Sequence, residues 1–139
     1  MENNCMYCTE DERLSNLMLP VCKVGRFQLY LNKNQTYRGR AVLAFNRHVG
    51  KLSELSKQEN AEFFDAAHTV AQALQKTFSP GQINIGMYAD KVPHLHCHFA
   101  PTYVDELDWG GTFQMNPTPE VFLSEQEYQE MILKIRANL

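Results

Sequence analysis

Apolar and polar positions change their period along this chain, and the changes divide it into elements. Residues 25–32, GRFQLYLN, alternate as a half-buried strand does, and residues 40–45, RAVLAF, make a second apolar run of strand length. The polar NKNQTYRG between them ends in Gly39, which predicts an antiparallel hairpin with a long connection. The period then shifts. Phe63, Ala67, Val70, Leu74 and Phe78 recur at helical spacing; Ser56 and Glu59 form a capping box ahead of them, and Ser79-Pro80-Gly81 ends the helix. Residues 82–88 and 94–102 read as a third and a fourth strand, parted by a turn at Ala89-Asp90-Lys91. Residues 105–119 hold Gly110-Gly111 and two prolines and read as an ordered loop or lid. A last helix begins near Ser124: Glu127 completes its capping box, Leu123 and Tyr128 form a staple, and Met131, Ile132 and Ile135 supply a buried stripe. The sum is an α+β domain over residues 1–139, with a mostly antiparallel sheet of about five strands, one long helix and a C-terminal helix.

Composition narrows the function classes. A chain of 139 residues, 44% hydrophobic and 21% charged, has the size of one domain and the means to fill its core. Its net charge of −3 offers no broad positive field for a nucleic-acid polymer, yet leaves room for a pocket that holds one phosphorylated small molecule. No run approaches the roughly 18 apolar residues of a membrane span. The start, MENNCMYCTE, lacks the basic opening and apolar stretch of a secretory signal, so the expected compartment is the cytoplasm, without a membrane partner. Thiols stay reduced there, and Cys5-x-x-Cys8 then reads as metal-binding or redox rather than as a disulfide. Cys22 reads as core or a stray thiol and His68, mid-helix, as structural. Tyr30 suits a base pocket or plain packing. Trp109 suits a base stack, a subunit cap or a hydrophobic anchor.

The chemistry concentrates in Pro93-His94-Leu95-His96-Cys97-His98-Phe99-Ala100-Pro101, which holds three of the five histidines at every second position. On a strand, His94, His96 and His98 share one face while Leu95, Cys97 and Phe99 face the core, so three imidazoles line up toward a surface or cleft. Three readings stand side by side: a solvated strand face, a metal site made of all three rings, and phosphoryl chemistry. The last has a specific rationale. A neutral imidazole is a good nucleophile toward phosphorus, and a second, protonated ring about 7 Å along the strand can hydrogen-bond the phosphate and donate to the leaving oxygen.

HLHCHFA resembles the His-φ-His-φ-His-φ-φ signature of the histidine triad family, φ being apolar. Asn84-Ile85-Gly86 is similar to that family's Asn-x-Gly on the preceding strand, and LNKNQTYRGRAVLAFNRHVGKLSEL to its upstream hairpin, so the resemblance covers roughly residues 5–101. It implies a nucleotide hydrolase that cleaves at the α-phosphate of a dinucleoside polyphosphate or nucleoside phosphoramidate. His96 would be the nucleophile, forming a nucleotidyl-histidine intermediate, and His98 the group that contacts the phosphate and helps the leaving group. Asn84 joins Asn32, Arg40 and Lys91 as expected substrate contacts. In a branch of the family, and in the related galactose-1-phosphate uridylyltransferases, a structural zinc is held by four positions that here are Cys5, Cys8, His48 and His94; Cys₂His₂ is a closed set with no open position. A homodimer is implied too.

The chain departs from the pattern at three places. Asn32 stands where most members have an aspartate for the ribose hydroxyls. Arg40 replaces the histidine after the hairpin glycine and is suited to a phosphate. Ala89-Asp90-Lys91 takes the place of a Gly-Gln-Ser loop, which assigns a phosphate contact to Lys91. Two rival functions remain: a nucleotidyltransferase with uridylyltransferase-like chemistry, and a non-enzymatic nucleotide-binding module.

Overall fold

A computed structural model describes residues 4–139. Five strands form one antiparallel sheet in the order β1-β2-β3-β5-β4: β1 is Met18–Val24, β2 Phe27–Asn32, β3 Ala41–Ala44, β4 Gln82–Gly86 and β5 His96–Thr102. Two one-turn helices, α1 (Met6–Thr9) and α2 (Glu12–Ser15), precede the sheet; α3 (Lys57–Phe78) joins β3 to β4, and α4 (Glu125–Ala137) closes the chain. Among the described residues no helix is long and apolar enough to cross a membrane. The expected α+β architecture stands, with the four strands read from the pattern in place and one more.

The additional strand is β1. It pairs only with β2, as an edge strand, and Pro20 sits in it where a missing N–H costs no ladder bond. Its register slips between Pro20 and Cys22, and burial along it follows a period of three instead of two. That bulge hides the strand from an alternation test. Gly25, at φ 61, and Arg26 then turn the chain, so residues 25 and 26 make the β1–β2 turn and β2 starts at Phe27. The β2–β3 hairpin with its long connection is as expected, Leu31 pairing Ala41.

Both long helices begin in complete capping boxes, Ser56 with Glu59 and Ser124 with Glu127. They lie on the sheet face that carries Leu29, Leu31, Leu43, Cys97 and Phe99, and Phe63, Val70, Leu74, Ile132 and Ile135 complete that core. The opposite face carries Tyr30, Val42 and Ala44 and is covered by Cys5, Tyr7 and Leu14 from the N-terminal turns, with Met18 of β1 beside them. Across it runs the segment 103–123. The 33–40 connection pins this strap: Gln35 N donates to Val121 O (2.7 Å), Thr36 Oγ1 to Pro119 O (2.6 Å), and Arg40 Nη1 to Met115 O (2.8 Å). The expected ordered loop is thus a fastened cover over one face. Trp109 is not the buried anchor that its apolar bulk suggests: it stays 41% exposed, with its indole lying over Gly81, where an added Cβ would meet it at 2.6 Å.

Candidate functional site

The sheet register assembles the site. Val42 faces His98 across β3 and β5, Ala44 faces His96, and the Asn32 N–H bonds Arg40 O beside them. Alternate positions share a face, so Asn32, Arg40, His96 and His98 come to one side of the sheet. There they line a cavity of about 1050 Å³, closed by Tyr7 from the N-terminal turn and Phe113 from the strap. Gly86 lies opposite His98; a Cβ there would meet the Tyr88 ring at 2.6 Å and Phe113 at 3.0 Å, so only glycine lets those rings close the wall.

His94, His96 and His98 are all buried, at 3%, 5% and 7% exposure, and they do not share one hollow. Strand β5 starts only at His96, so the period-two reading fails at His94, which lies in a bend and turns toward Cys5 and Cys8. The alternating partners Leu95, Cys97 and Phe99 are in the core as expected. A metal site made of all three rings is ruled out by this split.

Backbone contacts set the tautomers. His96 Nδ1 lies 2.6 Å from His94 O, and a carbonyl can only accept, so Nδ1 carries the hydrogen and Nε2 keeps its lone pair. His94 Nε2 meets Phe45 O at 2.8 Å by the same logic, which leaves Nδ1 of His94 unprotonated and directed at the thiols. Burial pushes the pKa of His94 and of His96 down. His98 falls furthest, to about 3, through burial first, then His96 and Arg40. Its ring centroid is 4.8 Å from that of His96. Burial thus works against the protonated second imidazole expected from the pattern as long as no anion lies beside His98.

Three buried side-chain atoms have no hydrogen-bond partner among the described residues: Asn32 Oδ1, Arg40 Nε and His98 Nδ1. All three residues line the same cavity. Buried polar groups are normally satisfied, and each orphan costs on the order of 1–3 kcal/mol. Arg40 is 2% exposed, belongs to none of the ion pairs of the described residues, and sits against the Tyr37 and Phe113 rings with Cζ 6.0 and 5.6 Å from their centroids. Desolvation lowers its pKa, the mark of a cation short of an anion. An acceptor-bearing, negatively charged ligand would satisfy the set.

Of the other expected contacts, Lys91 is exposed and sits at the cavity rim. Asn84 does not reach the cavity lining; its Nδ2 donates to Thr102 Oγ1 at 3.1 Å. Tyr30 is buried against Tyr7 and Val42 instead of lining the cavity. Tyr7, Tyr88, Phe113 and Met115 line it and were not singled out from the sequence. Only Tyr7 carried a signal, its place inside Cys5-x-x-Cys8.

Cys5, Cys8, His48 and His94 form a second cluster, their ligand atoms all within 4.8 Å of one another. Three sulfur–Nδ1 distances, Cys5–His94, Cys8–His94 and Cys8–His48, are each 3.5 Å. A tetrahedral zinc with ordinary Zn–S and Zn–N bonds separates sulfur from nitrogen by about 3.6 Å. The set fits such an ion in spacing, in donor type and in the tautomer of His94, whose far nitrogen is held by a carbonyl as metal-binding histidines are.

A strand bearing His-x-His beside a buried cation, in a five-stranded α+β fold with a Cys₂His₂ cluster at one end, places the chain in a known class. Residues 20–105 match the HIT domain, and the chain belongs to that family. Over 77 residues it is 29% identical to an asymmetrical bis(5'-nucleosyl)-tetraphosphatase of Schizosaccharomyces pombe; the match covers 52% of this chain and 42% of that protein, so the chain spans well under half of its curated relative. A histidine triad protein of Sinorhizobium meliloti superposes with a TM-score of 0.83 at 25% identity, over 93% of this chain and 95% of the other. A zinc-bound histidine triad protein of Mycobacterium smegmatis shares the fold at a TM-score of 0.69 and 16% identity, over 99% and 94%.

Proposed function

We propose that this protein hydrolyses a nucleotide at its α-phosphate through a covalent intermediate on His96. The observation that carries the reading is the convergence of three orphaned buried atoms, on Asn32, Arg40 and His98, around the cavity that His96 also lines. Nε2 of His96 attacks the α-phosphorus; an N–P bond forms, and the bridging bond breaks with its electron pair passing to the leaving atom. Water then attacks the same phosphorus and gives up one proton to solvent, the N–P electrons return to Nε2, and a nucleoside monophosphate departs. His98 hydrogen-bonds the phosphate. Arg40 supplies the fixed positive charge that the reaction needs as negative charge gathers on phosphate oxygens, and burial makes that charge count for more than it would in water. Asn32 accepts from a ribose hydroxyl, and Lys91 adds an exposed charge at the entrance.

The expected substrates are dinucleoside polyphosphates, in keeping with the activity named for the fission yeast relative, or else nucleoside phosphoramidates. Zinc in the Cys5-Cys8-His48-His94 set would be structural: four protein ligands leave it no open position for water or substrate. His96→Ala removes the nucleophile and is expected to lower turnover of diadenosine tetraphosphate at least a thousandfold while the fold stays intact. Full activity in that variant ends the proposal.

A further inference from the structure

We infer that Tyr7 is a positioning residue for His96, and that the Cys5-Cys8-His48-His94 set is the fastening that keeps it in place; the inference rests on reading His96 as the nucleophile. Tyr7 sits on α1 between the two cysteines, is buried, and lines the cavity beside His96 and His98. Its ring centroid lies 5.0 Å from that of His96, 5.3 Å from that of His94 and 6.1 Å from that of Tyr30. The His96 imidazole is thus held at three places. Nδ1 is tied to His94 O, the His98 ring stands edge-on at 4.8 Å, and the Tyr7 ring, tilted by 35°, closes the remaining side. A χ rotation that swung Nε2 away from the cavity would drive the imidazole into Tyr7.

What holds Tyr7 is the next link. Helix α1 is a single turn, far below the length at which a helix persists alone. The hydrogen bonds of Met6, Thr9 and Glu10 stay within residues 5–11, so these three residues add nothing to the apolar contacts by which Cys5 and Tyr7 rest on Tyr30, Val42 and Ala44. The sulfurs reach further: Cys5 and Cys8 meet His94 just ahead of β5, and Cys8 meets His48 beyond β3. An ion in this set would join residues 5, 8, 48 and 94 by coordinate bonds, with Tyr7 inside the loop they close. Metal content then acts on catalysis by holding a side chain, with no metal chemistry in the reaction.

The test compares the full chain loaded with Zn²⁺ and stripped by a chelator, as wild type, Tyr7→Ala and Tyr7→Phe. In wild type, stripping is expected to lower kcat for diadenosine tetraphosphate about tenfold with a smaller change in KM, the size of effect a misplaced reacting group produces. Tyr7→Ala lowers kcat equally while loaded and loses less than a further twofold on stripping; Tyr7→Phe, which keeps the ring, behaves as wild type. A second readout needs no turnover: the ¹⁵N signals of the His96 imidazole stay sharp in loaded wild type and Tyr7→Phe and broaden in Tyr7→Ala and in stripped protein. If Tyr7→Ala loses amide protection in the sheet, Tyr7→Leu, which keeps apolar bulk without the flat ring, carries the same expectations. An additional tenfold loss on stripping Tyr7→Ala, or His96 signals indifferent to zinc, overturns the inference. A wild type that turns over no nucleotide ends the proposed function instead, and the imidazole signals still decide the role of Tyr7.

Discussion

On one face of the sheet, Leu29, Leu31, Leu43, Cys97 and Phe99 meet the long helices in an apolar core whose one tyrosine hydroxyl, on Tyr128, is hydrogen-bonded. On the other, the same strands present Asn32, Arg40, His96 and His98 next to Tyr30, Val42 and Ala44. Both faces are buried, yet only the second carries side-chain atoms that lack a partner. The first face stabilises the fold by removing apolar area from water; the second holds desolvated polar groups at a cost that a bound ligand would offset. Strand β5 belongs to both, residue by residue. Mutations on its two sides should therefore separate stability from activity.

The largest expected effect is on the core side. Phe99 is fully buried, and Phe99→Ala removes its packing and leaves a cavity, a loss of about 3–5 kcal/mol. Chemical denaturation should show that loss, while the protein that remains folded keeps its kcat. A smaller stability loss together with a collapsed kcat would mean that the two faces are not separable.

Arg40→Met tests the other side. The substitution keeps an apolar stem and deletes a buried cation that has no acidic partner among the described residues. Losing a charge-assisted contact to phosphate costs about 1.5–3 kcal/mol, or roughly ten- to a hundredfold in kcat/KM. Stability should change little, because the lost bonds to Gln114 O and Met115 O are set against relief from an unpaired buried charge. A large fall in melting temperature with normal kinetics would make Arg40 a strap fastener only.

The two faces also differ in how far the sequence exposes them. The core side follows from period: helix caps at Ser56 and Ser124, the stripe Phe63-Val70-Leu74 and the alternation Leu95-Cys97-Phe99 are local facts, and local facts can be read along a chain. The site side depends on register and distance. That Asn32 and Arg40 lie beside His98 is a matter of strand pairing; the glycines and prolines of the strap predict an ordered loop or lid, but not that Phe113 and Met115 come over this cavity. Strand β1 escaped because Pro20 and a bulge break its alternation. Period two, extended past the true start of the strand, puts His94 in one hollow with its neighbours; the metal ligand set, carried by resemblance, groups it with Cys5, Cys8 and His48, the residues it lies among. Asn84 resembles a family position, but its amide is engaged by Thr102. Arg40 was legible as a substituted residue, though its burial and lack of a counter-ion were not.

The smallest effect, and the most diagnostic of the polar face, is a pH dependence of stability. Folding pushes His98 to about 3 from an ordinary value near 6.5, chiefly by burial, with His96 and Arg40 adding to it. Between those two values the unfolded chain binds a proton that the folded chain refuses, so the unfolded state carries more protons and stability rises with pH across the window. Read in the acid direction, this contribution is whole above pH 6.5 and drains away as the pH falls toward 3. His98→Asn keeps a neutral polar group in the slot and removes the titration, so the melting temperature of this variant should fall less steeply than that of wild type between pH 6.5 and 4.5. Both proteins are to be measured with the metal set in the same state, since His94 and the thiols contribute equally to each. A bound phosphate analogue should flatten the wild-type curve as well, because an anion beside His98 and Arg40 favours the protonated ring. Parallel curves for the two proteins would place His98 in water, and with it would go the contrast between a satisfied face and a desolvated one.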